Sequence, residues 1–333
     1  MPELRRDPTT GTWTILAVER AARPGGRPQS PPPPPDEDHL ASCPFCPGNE
    51  DQTPPEIFRL PPGAARWSVR VVPNKYPALT PDADQRVTHR QDLLCSLPGR
   101  GHHEVIIEGP RHRPTAAPRE AETLRDVFLA ARERGRAFST DPALRHVALF
   151  KNHGPAGGAS LAHPHWQLVA LPVIPPAVAR EFQIAAEYRE AHGRAMLEDL
   201  VSLELESETR VVEITDEFAV LAAYAPQWTG ETWIVPRAPV AGLQHLDDAG
   251  LDALAGTLWR TLRRVAGALD EPALNVVVHS APLGVGAASE AFRWHVRLQP
   301  RLGTPAGFEL GSGVAVVTLA PEAAAEAFRR QPL

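Results

Sequence analysis

The segment HPHWQLVALP, His163 to Pro172, has the apolar run and the bounding prolines of a β-strand, and a similar segment occurs later in the chain. The later segment is FRWHVRLQPR, Phe292 to Arg301, which also places a histidine within a β-like run. The stretches before them correspond as well, since DPALRHVALFKN (141–152) resembles EPALNVVVHS (271–280). We therefore predict an internal duplication in which each half builds its own sheet.

The order of predicted elements agrees with a duplicated α+β fold, with two mostly antiparallel sheets and packed helices. In the first half, β runs occupy 67–73, 103–109, 146–152 and 165–172, with a helix over 118–138. In the second half, β runs occupy 218–224, 231–237, 275–282 and 292–301, with a helix over 251–270. We expect the halves to span 1–176 and 177–333, with a helical segment at 178–200 between them.

Composition limits the classes of function. The 333 residues fit two domains of about 150 residues each. The net charge of −6 argues against electrostatic binding of nucleic acid. No stretch approaches the ~20 apolar residues of a membrane span, and MPELRRDPTT has no apolar core of a signal peptide. We expect a cytoplasmic protein without a membrane partner. The proline-rich tract 23–40 is expected to be an extended surface loop.

A metal site is predicted from Cys43 and Cys46, which have CxxC spacing. Two thiolates from one turn form half of a tetrahedral zinc site, and two further ligands must come from elsewhere. His112 and His163 are the candidates. Loop packing and a redox pair are the alternatives for the two cysteines, and Cys95 is expected to be inert.

His163 and His165 flank Pro164, whose fixed φ directs the two rings apart and allows each its own task. If His163 ligates a metal, its backbone carbonyl is well placed to accept a hydrogen bond from one nitrogen of His165. The other nitrogen then keeps a free lone pair and becomes a candidate nucleophile. Gln167 points to the same face and offers an amide donor to a phosphate oxygen. The alternative is that His165 is a hydrogen-bonded core histidine.

Two further segments suit phosphate binding. The loop NHGPAGGASLA (152–162) carries Gly158 and Ser160, whose small side chains let backbone N–H groups approach a phosphate. Arg20 and Arg23 lie three residues apart, and their guanidinium groups match pyrophosphate oxygens. A plain flexible loop and solvated charges are the alternative interpretations.

Together these residues form a wider pattern. The matching segments are LRRDPTTGTWTILAVERAARP, CPFCPGNED, VVPNKYPAL, GHHEVIIEGPRH, FKNHGPAGGASLAHPHWQLVALP, GETWIVPR and AGFELGSG. Along nearly its whole length the chain resembles the galactose-1-phosphate uridylyltransferase family of the histidine-triad superfamily, including its ADP-glucose phosphorylase-like branch. The resemblance implies two histidine-triad-like halves, the first carrying the zinc site and nucleophile and the second contributing sugar contacts.

The resemblance also implies roles for individual residues. His165 matches the nucleophile, and Gln167 matches the phosphate-stabilising glutamine. The implied ligands of one structural Zn²⁺ are Cys43, Cys46, His112 and His163. The implied nucleotide, phosphate and sugar contacts are Arg20, Arg23, Asn74, Asn152, Gly158, Ser160 and Glu309. Because Arg293 replaces a histidine that many relatives use for a second metal, we expect one metal.

The implied reaction moves a nucleotidyl group from a nucleotide sugar to a sugar phosphate through a covalent histidine intermediate. Galactose-1-phosphate as acceptor would make the chain a hexose-1-phosphate uridylyltransferase. We favour this interpretation because of the resemblance to the family. Inorganic phosphate as acceptor would make it a nucleoside-diphosphate-sugar phosphorylase of ADP-glucose type. A non-catalytic nucleotide-sugar-binding protein is a third possibility. Relatives are commonly homodimers, which predicts the same assembly.

Overall fold

A computed structural model describes residues 1–22, 38–83, 88–90, 93–113, 115–240 and 242–333. Most of the proline-rich tract lies outside these residues, and so does Arg23, one of the two predicted pyrophosphate contacts. In the part of the chain that is described, no helix is long and apolar enough to cross a membrane.

The described strands and helices follow the predicted order, with additional short elements. The strands are β1 (Glu3–Arg6), β2 (Trp13–Leu16), β3 (Phe58–Leu60), β4 (Val69–Pro73), β5 (Thr88–Arg90), β6 (Leu94–Ser96), β7 (His102–Glu108), β8 (His146–His153), β9 (His165–Leu171), β10 (Val211–Ile214), β11 (Phe218–Ala222), β12 (Thr232–Pro236), β13 (Leu274–His279), β14 (His295–Pro300) and β15 (Ala315–Val317). The helices are α1 (Ala121–Ser139), α2 (Pro176–His192), α3 (Met196–Ser207), α4 (Asp248–Leu269), α5 (Gly307–Ser312) and α6 (Pro321–Arg329).

The main sheet confirms the duplicated α+β fold. Its first half has the strand order β3-β4-β7-β9-β8, and its second half repeats this order as β10-β11-β12-β14-β13. All neighbours are antiparallel, as predicted. The inner strands β8 and β13 also pair with each other, with Asn152 opposite Asn275. The two five-stranded sheets are therefore continuous across the junction.

One face of this sheet is packed under helices. Leu124, Val127 and Phe128 recur on one side of α1 and are fully buried. They share a core with Trp166 and Leu168 of β9 and with the apolar side of α4. Because side chains alternate along a strand, the odd-numbered residues of β9 lie on the opposite face.

The opposite face is covered differently in the two halves. In the second half, Leu197 and Val201 of α3 pack against β11 and β12. In the first half, the segment Cys43–Cys46 packs against Val105 and Ile107 of β7. His165, at the start of β9, lies beside that segment and contacts Phe45, which positions the candidate site.

Two features differ from the sequence prediction. The expected helix at 178–200 is divided into α2 and α3, because Gly193 ends α2 with φ 77° in the left-handed region. The N-terminal strands β1 and β2 join β15 in a separate sheet, in which β2 and β15 are parallel. The first residues of the chain therefore pack with its last residues.

Candidate active site and metal centre

Four buried side chains from distant segments form a candidate metal centre. Cys43, Cys46, His112 and His163 each place a ligand atom within 4.8 Å of the others. Sγ of Cys46 lies 3.5 Å from Nδ1 of His112 and 3.6 Å from Nδ1 of His163. Sγ of Cys43 lies 3.8 Å from the same His163 nitrogen. The structure thus brings together all four predicted ligands.

These separations fit a tetrahedral metal ion. Zinc bonds of about 2.3 Å to sulfur and about 2.0–2.1 Å to nitrogen require sulfur–nitrogen distances of about 3.6 Å at tetrahedral angles. Nε2 of His163 donates a hydrogen bond to the Gly109 carbonyl at 3.0 Å, which leaves the Nδ1 lone pair for the metal. The group can therefore hold a metal of the zinc type.

The electrostatics of the centre also suit a cation. Burial raises the pKa of the Cys43 thiol to about 11, and the adjacent Cys46 adds to this effect. Burial lowers the pKa of His163 to about 4, although its bond to Gly109 opposes the shift. A neutral imidazole is the form that binds a metal, and a bound cation would stabilise the thiolates.

His165 has the hydrogen bond predicted from the HPH motif. Its Nδ1 donates to the His163 carbonyl at 2.9 Å. Burial lowers the pKa of His165, and Lys151 lowers it further, whereas the His163 carbonyl and Glu108 raise it. The ring is thus neutral near pH 7, with its proton on Nδ1. Among the described residues, none is hydrogen bonded to Nε2, which retains its lone pair.

Phe45 connects the metal centre to His165. This phenylalanine lies between the two cysteines, and its ring makes edge contacts with both histidine rings, at 6.0 Å from His163 and 5.4 Å from His165. The orientation of His165 therefore depends on the Cys43–Cys46 segment as well as on its own backbone. This role of Phe45 was not predicted from the sequence, although its position between the two cysteines of CPFC indicates proximity to the metal ligands.

Gln167 lies on the same face as His165, and its neighbours form a polar row. Oε1 of Gln167 is 2.8 Å from Nε2 of His103 in β7. The same His103 nitrogen lies 3.1 Å from Nδ2 of Asn74, a predicted nucleotide contact. Oδ1 of Asn74 accepts a hydrogen bond from the Tyr76 backbone at 2.9 Å. The structure thus places His103 between Asn74 and Gln167. His103 was not among the residues predicted from the sequence.

Asn152 of β8 is held by the second half of the chain. Its Oδ1 accepts a hydrogen bond of 2.8 Å from Nδ2 of Asn275, which also donates to the Gly157 carbonyl at 2.7 Å. The amide nitrogen of Asn152 lies beside Gly158, which has φ 83° and is exposed. Asn275 thus anchors the predicted phosphate loop to β13.

Gly157 is required by packing in this loop. A Cβ at this position would lie 2.8 Å from the Leu274 carbonyl oxygen, a backbone atom of β13. We expect Gly157→Ala to lower the free energy of unfolding by about 1–3 kcal/mol, because the loop must move away from β13. Urea unfolding measures this change.

Gly256→Ala is the matched control. Gly256 is in α4, where a new Cβ would meet only the flexible end of Arg260, at 3.2 Å. This variant should be neutral or more stable by about 0.5–1 kcal/mol. Equal stability of Gly157→Ala and the natural protein would contradict the packing argument.

The remaining predicted contacts are more peripheral in the structure. Arg20 is exposed in a short 3-10 helix, and Ser160 is exposed in the glycine-rich loop. Glu309 lies in the first turn of α5, where its carboxylate accepts a hydrogen bond from the Ala306 N–H at 3.0 Å. Among the described residues of a single chain, Glu309 and His165 make no hydrogen bond with each other.

The second half has a counterpart to His165 with its nitrogens occupied. Nδ1 of His295 donates to the Arg293 carbonyl at 3.2 Å, as His165 does to His163. Its Nε2, however, accepts a hydrogen bond of 3.0 Å from Arg297. Arg297 also forms an ion pair of 2.9 Å with Glu181. His295 therefore has no free lone pair for nucleophilic attack.

His295, Glu181 and His279 form a second group that could hold a metal ion, with ligand atoms within 4.8 Å of one another. The Arg297 guanidinium already places a positive charge beside this group. Arg293 occupies the position that corresponds to His163, and its guanidinium donates to the Arg237 carbonyl at 3.2 Å. These two arginines are consistent with the expectation of one metal per chain, which remains a prediction.

The family models match both halves of the chain. Residues 1–175 match the N-terminal domain of galactose-1-phosphate uridyl transferase, and residues 181–305 match its C-terminal domain. The chain therefore belongs to the galactose-1-phosphate uridyl transferase family.

Two of the similar proteins have different activities by name. The chain is 32% identical to an ADP-glucose phosphorylase of Arabidopsis thaliana, covering 100% of this chain and 93% of that protein. It is 30% identical to a galactose-1-phosphate uridylyltransferase of Kluyveromyces lactis, covering 76% of this chain and 70% of that protein. A crystal structure of an Arabidopsis thaliana ADP-glucose phosphorylase with bound ADP-glucose is similar at a TM-score of 0.86, with 31% identity and coverage of 100% and 99%.

Proposed function

We propose that the protein transfers a nucleotidyl group from a nucleoside-diphosphate hexose to a phosphate acceptor, with His165 as the covalent nucleophile. The observation that carries this proposal is the single hydrogen bond of His165, from Nδ1 to the His163 carbonyl. That bond fixes the tautomer and leaves the lone pair on Nε2. A role in binding alone does not require such a lone pair.

The reaction follows as a double displacement. Nε2 of His165 attacks the α-phosphorus, a P–N bond forms, and the bond from phosphorus to the hexose-1-phosphate oxygen breaks. Hexose-1-phosphate leaves as a stable anion, so no strong general acid is needed. An oxygen of the acceptor phosphate then attacks the same phosphorus and releases Nε2. The Nδ1 proton stays with His165, where the His163 carbonyl stabilises the positive charge of the intermediate.

The substrate contacts are proposed from the resemblance and from the positions of the side chains. We propose that the amide of Gln167 stabilises charge on the α-phosphate, and that Asn152, Gly158 and Ser160 bind the phosphates. Arg20, Asn74 and Glu309 are proposed contacts to the nucleotide or sugar. The Cys43–Cys46 centre is proposed to hold one structural Zn²⁺, which with four protein ligands has no open position for water.

Two pairs of substrates are candidates. UDP-hexose with galactose-1-phosphate is supported by the description of the family and by the uridylyltransferase relatives. ADP-glucose with inorganic phosphate is supported by similarity over the whole chain to the Arabidopsis thaliana enzyme. Homodimerisation, and the division of the chain after residue 176, remain predictions.

The test is a panel of donors followed by a panel of acceptors. The protein is mixed with UDP-glucose, UDP-galactose or ADP-glucose, and its intact mass is measured after rapid quenching. We expect one nucleotidyl group per chain from one class of donor. Discharge by galactose-1-phosphate identifies a uridylyltransferase, and discharge by inorganic phosphate identifies a phosphorylase. Absence of an adduct with every donor would reject covalent transfer and favour a nucleotide-sugar-binding protein.

A further inference from the structure

We propose that His103 is a positioning residue that selects the orientation of the Gln167 amide and so presents its N–H₂ group to the α-phosphate. This inference rests on the proposed function, because it concerns a donor used in nucleotidyl transfer. His103 itself has no proposed contact with substrate.

The tautomer of His103 follows from its two neighbours. The Ala78 backbone N–H can only donate, and its nitrogen lies 3.2 Å from Nδ1 of His103. Nδ1 is therefore the acceptor, and the proton of the neutral ring is on Nε2. Nε2 then donates to the atom 2.8 Å away, which is Oε1 of Gln167. The Ala78 N–H thus determines that Oε1 of Gln167, and not its amide nitrogen, faces His103.

The orientation matters because the terminal torsion of glutamine is broad and nearly two-fold. Without a partner, Gln167 can turn its carbonyl oxygen toward the phosphate, where it repels the anion. With Oε1 held by His103, the amide nitrogen is the end that remains for the substrate. Preorganised donors of this kind stabilise developing charge more than donors that must reorient.

The pairing of β7 with β9 sets the distance between His103 and Gln167. His103 of β7 lies opposite Val169 of β9, and Val105 lies opposite Gln167, so His103 reaches Gln167 diagonally. Nδ2 of Asn74 also lies 3.1 Å from Nε2 of His103, but both atoms are N–H donors in this tautomer, so this contact is not a hydrogen bond and does not hold the ring. His103 is therefore held between the Ala78 N–H and Oε1 of Gln167, and it can act as a support for that side chain.

The experiment measures the rate at which His165 acquires the nucleotidyl group, using whichever donor labels the natural protein. His103→Phe keeps a ring but removes both nitrogens, and we expect the rate to fall about 10- to 100-fold with little change in the KM for the donor. His103→Gln keeps one acceptor and one donor and should recover much of the rate. Should His103→Phe fail to fold, His103→Ala takes its place.

His102→Phe is the matched control. It introduces the same side chain one residue earlier in β7, where the native ring packs at 4.8 Å from Phe138 of α1, and it should leave the transfer rate unchanged.

A double-mutant cycle with Gln167→Leu separates positioning from general damage. If His103 acts through Gln167, His103→Phe has no further effect once the amide is gone. An equal fall in rate on both backgrounds would overturn the inference, and so would an unchanged rate in His103→Phe alone. A natural protein that acquires no adduct from any donor would instead overturn the proposed function.

Discussion

Replacing His165 by alanine is expected to abolish the nucleotidyl adduct and to lower turnover by at least about 10⁴-fold, because the proposed intermediate is bonded to this side chain. The fold should survive, since the ring is a single side chain at the start of β9 and the core residues Trp166 and Leu168 face the other side of the sheet. Intact mass after quenching and steady-state rates measure the two effects, and thermal unfolding checks the fold.

His295→Ala is the control for this prediction. It removes the corresponding histidine of the second half, whose Nε2 is already hydrogen bonded to Arg297. The variant should still acquire one nucleotidyl group per chain. Adduct formation in His165→Ala, or its loss in His295→Ala alone without unfolding, would contradict the assignment of a single nucleophile.

Loss of the metal is expected to have the second largest effect. Cys46 is fully buried and contacts both candidate histidine ligands, so Cys46→Ser should remove the metal and release the segment that carries Phe45. Since Phe45 contacts the His165 ring, adduct formation should fall at least about 10-fold, together with the unfolding temperature. Elemental analysis should find about one zinc per natural chain and none in the variant.

The third cysteine provides the matched control. Cys95 is exposed and lies in β6, outside the candidate metal centre, so Cys95→Ser should retain both metal and activity. Dialysis of the natural protein against a chelator should reproduce the Cys46→Ser result. A metal-free protein with full activity would refute the structural role of the centre.

Much of the fold was predictable because its determinants are local. Short apolar runs bounded by Pro or Gly located β7 and β9, and the helical spacing of Leu124, Val127 and Phe128 located α1. The pairing of β8 with β13 was not predicted, because edge-to-edge contact between two sheets leaves no periodic pattern in either strand. The short strands β1, β2 and β15 were missed for a similar reason, since their partners lie at the opposite end of the chain.

The candidate site was predictable where one motif contains the chemistry. The hydrogen bond from His165 to His163 spans two residues and followed from the HPH sequence. His103 and Asn275 act across strands, and their contacts with Gln167 and Asn152 depend on register, which the sequence did not supply. The roles of Arg20, Ser160 and Glu309 as substrate contacts remain proposals. Local turns and short helices set their positions in the structure, and these positions do not test the proposed roles.

The pairing of β8 with β13 has a consequence for substrate exchange. Backbone hydrogen bonds cross the junction, and Asn275 adds side-chain bonds to Asn152 and Gly157 on the loop beside it. A hinge motion that separated the halves would break this ladder and displace the loop at the same time. We therefore expect nucleotide entry and product departure through movement of surface segments over a rigid platform, without domain opening.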